Sequence, residues 1–330
     1  MLEHGGRLQR AVQQYGIARE QWLDLSSGIA PWAYAIPDIP LRAWARLPET
    51  HDGLEQAAAD YYRVRQVLPV AGSQAAIQAL PQLRGRSNVG VLSPCYAEHA
   101  QAWRRAGHQV LEVQGDRVDD LLDSLDVLVV VNPNNPTGCL FKAGQLLEWH
   151  ARLARRGGWL LVDEAFMDNT PQHSIGAEAE QAGLIVLRSF GKFFGLAGVR
   201  LGFVLAETAL LQRLAELLGP WTISGPTRIL AQACLLDSAA HPRQIALCAA
   251  ASQRLASMLT TAGLVPAGGC DLFQYLLIDN AAQLHEFMAQ RGILLRLFTQ
   301  PSSLRLGLPA TEADFQRLEQ ALNEYRQEHA

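Results

Sequence analysis

"VLRSFGKFFGLAGVR", residues 186–200, sets Lys192 among phenylalanines, glycines and a leucine, where a charged amine gains little. Of 28 Lys and Arg in the 330-residue chain, only Lys142 and Lys192 are lysines. Arginine supplies the ordinary surface charge, so a lysine in an apolar run calls for a chemical reason. The stretch grows out of a short apolar run, "LIVLRS" (184–189), and similar runs surround it: "QVLPVA" (66–71), "NVGVLS" (88–93), "HQVLEV" (108–113), "DVLVVV" (126–131), "GWLLVD" (158–163) and "VRLGFVLA" (199–206). They are too short for helices and rich in Val and Leu, as buried strands are. Amphipathic segments such as "GSQAAIQALPQL", "AEHAQAWRRAG" and "AGQLLEWHARLARRG" lie between them. That alternation predicts an α/β domain with a largely parallel sheet.

Beyond "GPWTISGPTRIL" the texture changes to a long helical stretch interrupted at His241-Pro242. The short runs "DLFQYLLID", "GILLRLF" and "SSLRLGL" follow, then a final helix from Glu312 to Glu328. This tail reads as a smaller α+β domain. The expected division is 1–45 as an amino-terminal arm with part of the small domain, 46–220 as the large domain and 221–330 as the carboxy-terminal small domain.

A net charge of −4, with arginines scattered among acids, gives no footprint for nucleic acid. No apolar run approaches the roughly 18 residues of a membrane span, and "MLEHGGRLQR" lacks the apolar segment of a signal peptide. A soluble, cytoplasmic protein is expected. Cys95, Cys139, Cys234, Cys248 and Cys270 form no C-x-x-C pair, and the histidines show no metal-ligand spacing, so neither a disulfide framework nor a metal is expected.

In open α/β sheets, ligands bind beyond the carboxyl ends of the strands. After the first run come Gly72, Ser73 and Gln74, opening a helix whose free N–H groups suit a phosphate, although a serine N-cap alone would explain Ser73. After the second comes Tyr96, an aromatic able to stack on a flat ligand or simply to pack. "NPNNPTG" (132–138) fixes a rigid loop on which Asn135 can present its amide. Asp163 ends a buried strand, where a carboxylate is costly unless something positive meets it. Glu164, on the opposite face by strand alternation, reads as structural. Ser189, Lys192 and Arg200 add a hydroxyl, an amine and a guanidinium, the first and last suited to a phosphate.

Ser189-x-x-Lys192 also matches the S-x-x-K of penicillin-recognising acyl enzymes, but these need S-D-N and K-T-G as well, and Lys142 lies in "FKAGQ". A phosphate-binding Walker loop fails because Phe193 follows Gly191-Lys192. The surviving reading makes Lys192 a nucleophilic amine that forms an imine with an aldehyde cofactor, its apolar neighbours favouring the neutral form. Pyridoxal phosphate fits the remaining residues: its phosphate suits Ser73, Gln74, Ser189 and Arg200, its flat ring Tyr96, and its pyridine nitrogen Asp163. A carboxylate there keeps that nitrogen protonated and the ring a better electron sink.

"NPNNPTG", "VDEAF" and "SFGKFFGLAGVRLG", in this order, resemble the fold-type I, aspartate-aminotransferase-like pyridoxal-phosphate enzymes over nearly the whole chain. The resemblance implies that family's transferase-like fold: a large domain with a mostly parallel mixed sheet flanked by helices, plus a smaller α+β domain. It implies Lys192 as the cofactor-linked lysine, Asp163 as partner of the pyridine nitrogen, Asn135 as donor to the ring hydroxyl and Tyr96 as the stacking ring. It further implies Arg305, in "SSLRLGL", as the grip on a substrate carboxylate.

Within the family the chain is similar to the L-threonine-O-3-phosphate decarboxylases of cobalamin biosynthesis, kin of the histidinol-phosphate aminotransferases. "EHGGRLQRA" (3–11), "WLDLSSGIAPW" (22–32) and "DEAF", with Phe166 where aminotransferases carry Tyr, support this. The likeness implies loss of CO₂ from a phosphorylated amino acid, His4, Gly5 and Gly6 as phosphate contacts, and a cytoplasmic homodimer. Ala30 and Leu47 depart from the Asn and Tyr of many relatives. An aminotransferase of the histidinol-phosphate type is the alternative, and a noncatalytic binding protein of the same fold a remote one.

Overall fold

The computed structural model describes residues 4–328. It divides into two compact units, one of residues 33–135 and 140–242, the other of residues up to 32, 136–139 and from 243 onward. The first holds a seven-stranded sheet. Its strands are β1 (Leu68–Val70), β2 (Asn88–Leu92), β3 (Gln109–Val113), β4 (Val127–Val131), β5 (Trp159–Asp163), β6 (Leu184–Ser189) and β7 (Gly202–Leu205). Their order is β1-β7-β6-β5-β4-β2-β3. Neighbours from β6 to β3 are parallel, and β7 is antiparallel to both β6 and β1.

Composition explains each strand's place. Every residue of β4, β5 and β6 is buried, as the Val/Leu runs require of strands covered on both faces. Gln109 and Glu112 lie exposed on β3, which ends the sheet, and polar side chains suit such an edge. One core cluster joins Val89, Val129, Leu161 and Leu187 of the strands to Ile77, Trp103 and Leu214 of the helices Ser73–Ala79, Glu98–Arg105 and Thr208–Leu218. Each such side chain, fully buried, stabilises the fold by about 1.5–3 kcal/mol. Tyr96 packs against this cluster.

The unit boundaries fall at 32/33 and 242/243, not at the expected 45/46 and 220/221. The helix Gly225–Leu236 stays with the large sheet because Arg228 reaches back to Asp52 (2.7 and 2.5 Å) and Glu55 (2.9 and 2.7 Å). At the other boundary the Tyr34 N–H donates to the Phe194 carbonyl (3.1 Å), which ties the segment from residue 33 to the Lys192 region. The helical break expected at His241-Pro242 lies at residues 237–239, and Pro242 sits in the first turn of the helix Ala240–Thr261, where no backbone donor is needed.

The second unit has a four-stranded antiparallel sheet ordered Arg296–Thr299, Ser302–Gly307, Phe273–Leu277 and Gly268–Cys270. Leu23–Asp24 and Ile293–Leu294 form a separate parallel pair. The helix Glu312–Glu328 forms where expected. No helix among the described residues is long and apolar enough to cross a membrane.

Candidate active site

Eight candidate residues lie in the large-sheet unit (Ser73, Gln74, Tyr96, Asn135, Asp163, Ser189, Lys192, Arg200) and four in the other (His4, Gly5, Gly6, Arg305). In the large-sheet unit, β1 and β6 deliver two hydroxyls to one point: Ser73 Oγ and Ser189 Oγ are 2.8 Å apart. Gly72 lies between β1 and Ser73 with φ +72°, and a Cβ there would stand 2.6 Å from the Arg200 guanidinium. Only glycine therefore leaves room for the Arg200 guanidinium next to Ser73. Two hydroxyls and a guanidinium around one small cradle suit a phosphate.

The Gln74 side chain is engaged elsewhere. Tyr96 Oη donates to Gln74 Oε1 (3.0 Å), and Gln74 Nε2 donates to Glu98 Oε2 (3.1 Å). Any phosphate contact from Gln74 is thus made by its main chain. Burial first, then the Glu98 and Asp163 carboxylates, push the Tyr96 phenol up to about 12, while Arg200 pulls the other way. Tyr96 is neutral at physiological pH and within electrostatic reach of both Asp163 and Arg200.

Asp163 ends β5 with only 3% of its surface exposed. Its Oδ1 accepts from the Ala165 N–H (3.1 Å), and its Oδ2 lies 2.8 Å from His99 Nε2. The buried His99 Nδ1 has no partner, so the ring proton belongs on Nε2, donated to Asp163. Sequence reading missed His99. Its only signal was position, in the first turn of the helix that follows Tyr96.

"NPNNPTG" divides its asparagines by task. Asn132, fully buried, closes the loop base by accepting from the Phe141 N–H (2.8 Å) and donating to the Phe141 carbonyl (3.2 Å). Asn134 Nδ2 donates to the Pro94 carbonyl (2.9 Å), binding this loop to the one that carries Tyr96. Asn135, partly buried, follows directly. Lys192 lies on the short helix Phe190–Phe193, whose buried Phe190 stacks on Phe194 with centroids 4.4 Å apart. The lysine Nζ stands 5.8 Å from the centroid of the Phe166 ring. A phenylalanine therefore occupies the place beside the amine, with no hydroxyl to offer.

Behind the sheet, Arg188 Nη1 meets Glu164 (2.5 Å) and Nη2 meets Asp168 (2.8 Å), all buried. Burial opposes the Arg188 charge, yet the two carboxylates hold its guanidinium above its ordinary value; burial likewise pushes the Glu164 carboxyl up. Glu164 is structural, as its strand face predicts. Arg188→Met should leave two buried carboxylates uncompensated and cost about 3–5 kcal/mol. Urea unfolding measures this, and an unchanged midpoint would contradict it.

In the second unit, Arg305 is buried on the strand Ser302–Gly307, where its Nη2 donates to the Ser26 carbonyl (2.9 Å) and its guanidinium lies 5.3 Å from the Phe273 ring centroid. Burial, then Arg296 directly across the strand pair, push it down to about 10, still charged at neutral pH. The amino-terminal arm docks on the same serine. Gly6 N–H donates to Ser26 Oγ (2.7 Å), and a Cβ on Gly5 would stand 2.2 Å from the Ser26 carbonyl oxygen. Gly5 and Gly6 thus seat the arm, and His4 precedes them, partly buried. Of the two departures from the relatives, Ala30 is buried and Leu47 is 65% exposed.

The large-sheet unit carries a lysine in an apolar setting, a serine hydroxyl pair and a buried Asp–His pair, and the chain belongs to the aminotransferase class I and II family, whose model matches residues 32–322. Pyridoxal phosphate is its cofactor. Its relatives include a threonine-phosphate decarboxylase of Pseudomonas aeruginosa, 62% identical over 98% of this chain and 97% of that one. Another, from Sinorhizobium, is 44% identical over 97% of both chains. Among solved structures, the histidinol-phosphate aminotransferase of Sinorhizobium meliloti in complex with pyridoxal 5'-phosphate matches with a TM-score of 0.85 at 20% identity, covering 100% of this chain and 96% of that one.

Proposed function

We propose that the protein decarboxylates L-threonine O-3-phosphate, releasing CO₂ and (R)-1-amino-2-propanol O-phosphate for cobalamin biosynthesis. The observation that carries this is 62% identity to a threonine-phosphate decarboxylase across 98% of the chain. The bond from Cα to the carboxylate carbon breaks, its electron pair stays on Cα, and a proton replaces CO₂ there. The cofactor, when bound, supplies an aldehyde for the substrate amine and a ring that accepts the electron pair.

The chain's own residues do the rest. Ser73, Ser189 and Arg200 would hold the cofactor phosphate, and Asn135 would donate to the ring oxygen. Asp163, oriented by His99 and the Ala165 N–H, would face the pyridine nitrogen and hold its proton. Tyr96 would stack on the ring, and Phe166 offers the ring oxygen no hydroxyl of the kind the aminotransferases' tyrosine supplies. Lys192 would carry the cofactor at rest and supply the amine that returns a proton to Cα. Arg305 holds the substrate carboxylate, and His4, with the arm seated by Gly5 and Gly6, contacts the substrate phosphate.

Rates across a panel test this reading. L-threonine O-3-phosphate should lose CO₂ at least about 10²-fold more efficiently than unphosphorylated threonine, the weight of one or two charge-assisted hydrogen bonds. Glutamate formed from 2-oxoglutarate with histidinol phosphate, and no CO₂ from threonine phosphate, would make the enzyme an aminotransferase. Arg305→Lys should raise KM about 10-fold, because a lysine loses the two-point grip on a carboxylate. Steady-state kinetics would show it, and an unaltered KM would remove Arg305 from the substrate site.

The active form we take to be a cytoplasmic homodimer. Ile36, Leu41, Trp44, Leu47 and Trp221 of the large-sheet unit are each at least 60% exposed, and large apolar side chains such as these suit burial against a second copy.

A further inference from the structure

We infer that Glu98 is a positioning residue that locks the stacking tyrosine through Gln74, an inference that rests on the cofactor site proposed above. Three side chains form a relay within the large-sheet unit: Glu98 Oε2 accepts from Gln74 Nε2 (3.1 Å), and Gln74 Oε1 accepts from Tyr96 Oη (3.0 Å). Gln78 Nε2 donates to the same Glu98 oxygen (3.2 Å), so the carboxylate is held from the helix Ser73–Ala79 by two amides one turn apart.

The direction of the relay follows from donor chemistry. A carboxylate only accepts, so Glu98 compels the amide nitrogen of Gln74 to face it and turns the amide oxygen toward Tyr96. A phenol has one proton to give, and the amide oxygen takes it. The Tyr96 hydroxyl is then fixed in place and in polarity, and the ring plane with it. Without the carboxylate, the Gln74 amide is free to flip, presenting a donor where the phenol needs an acceptor. The same helical turn carries Glu98 and His99, so one element sets both the ring that covers the cofactor face and the carboxylate that meets its nitrogen.

The test compares Glu98→Ala in two backgrounds, wild type and Tyr96→Phe, reading the rate at which pyridoxal phosphate leaves the holoenzyme and the visible circular dichroism of the bound chromophore. In the wild-type background Glu98→Ala should speed cofactor release about 5- to 10-fold, the weight of one side-chain hydrogen bond, and weaken the visible dichroism. In the Tyr96→Phe background, where no hydroxyl remains to be positioned, it should change neither. Glu98→Gln, whose amide oxygen still accepts from Gln74, should restore most of the wild-type behaviour. If Glu98→Ala yields no soluble protein, Gln74→Leu cuts the relay at its middle and is read in the same two backgrounds.

Equal effects in both backgrounds would mean that Glu98 acts on the fold and not through Tyr96, and no effect in either would mean that the relay does not hold the ring. Each result overturns the lock while leaving the cofactor site standing. A wild-type protein with no visible chromophore after loading would bring down the cofactor site and the lock together.

Discussion

Lys192→Ala should yield a folded protein that no longer gains the mass of a cofactor on borohydride reduction and whose CO₂ release falls by about 10³-fold or more. The size follows from two losses at one atom. The amine is the only lysine in the large-sheet unit other than Lys142, which immediately precedes the helix Ala143–Ala154. It is therefore the group proposed to carry the cofactor covalently and, with Nζ 5.8 Å from the Phe166 ring centroid, to move the proton at Cα. Its neighbours Phe190, Phe193 and Phe194 are buried independently of it, so the fold should survive. Unchanged thermal melting of the cofactor-free variant checks that point. Retained attachment at another residue would remove Lys192 from its assigned role.

Asp163→Asn should lower kcat by about 10²–10³-fold, the usual weight of a preorganised charge at a reacting group. Asparagine keeps the size and one acceptor but removes the charge that holds the pyridine proton. His99 Nε2, 2.8 Å from the carboxylate, would then donate to a neutral amide. The loss should appear in kcat more than in KM, because the charge matters most when electrons move into the ring. Stopped-flow absorbance on mixing with threonine phosphate separates binding from the chemical step. A variant slow only in binding would show that Asp163 seats the cofactor without tuning it.

The parts of the site that break local rules were legible in the sequence. Lys192 stands in an apolar run, Asp163 ends a strand with no neighbouring base, and seven residues of "NPNNPTG" overspecify a turn. The seven strands of the large sheet were legible too, because a run of Val and Leu bounded by turn residues has few other uses. What was hidden depends on distant partners. His99 and Glu98 are ordinary helix residues until Asp163 and Gln74 arrive from other elements, 64 and 24 residues away. The helix Gly225–Leu236 was assigned to the small domain because nothing local shows that Arg228 pairs with Asp52, 176 residues earlier. The strand Gly268–Cys270 carries no pattern at all, being glycine-rich and set by its pairing with Phe273–Leu277.

The proposed reaction breaks the bond from Cα to the carboxylate. Holoenzyme supplied with L-threonine O-3-phosphate labelled at its carboxyl carbon, in D₂O, should release one labelled CO₂ for each amine product formed. That product should carry one deuterium at the former α-carbon, delivered to a single face. Label retained in a keto acid, with the amine passed to 2-oxoglutarate and no CO₂ released, would contradict the account.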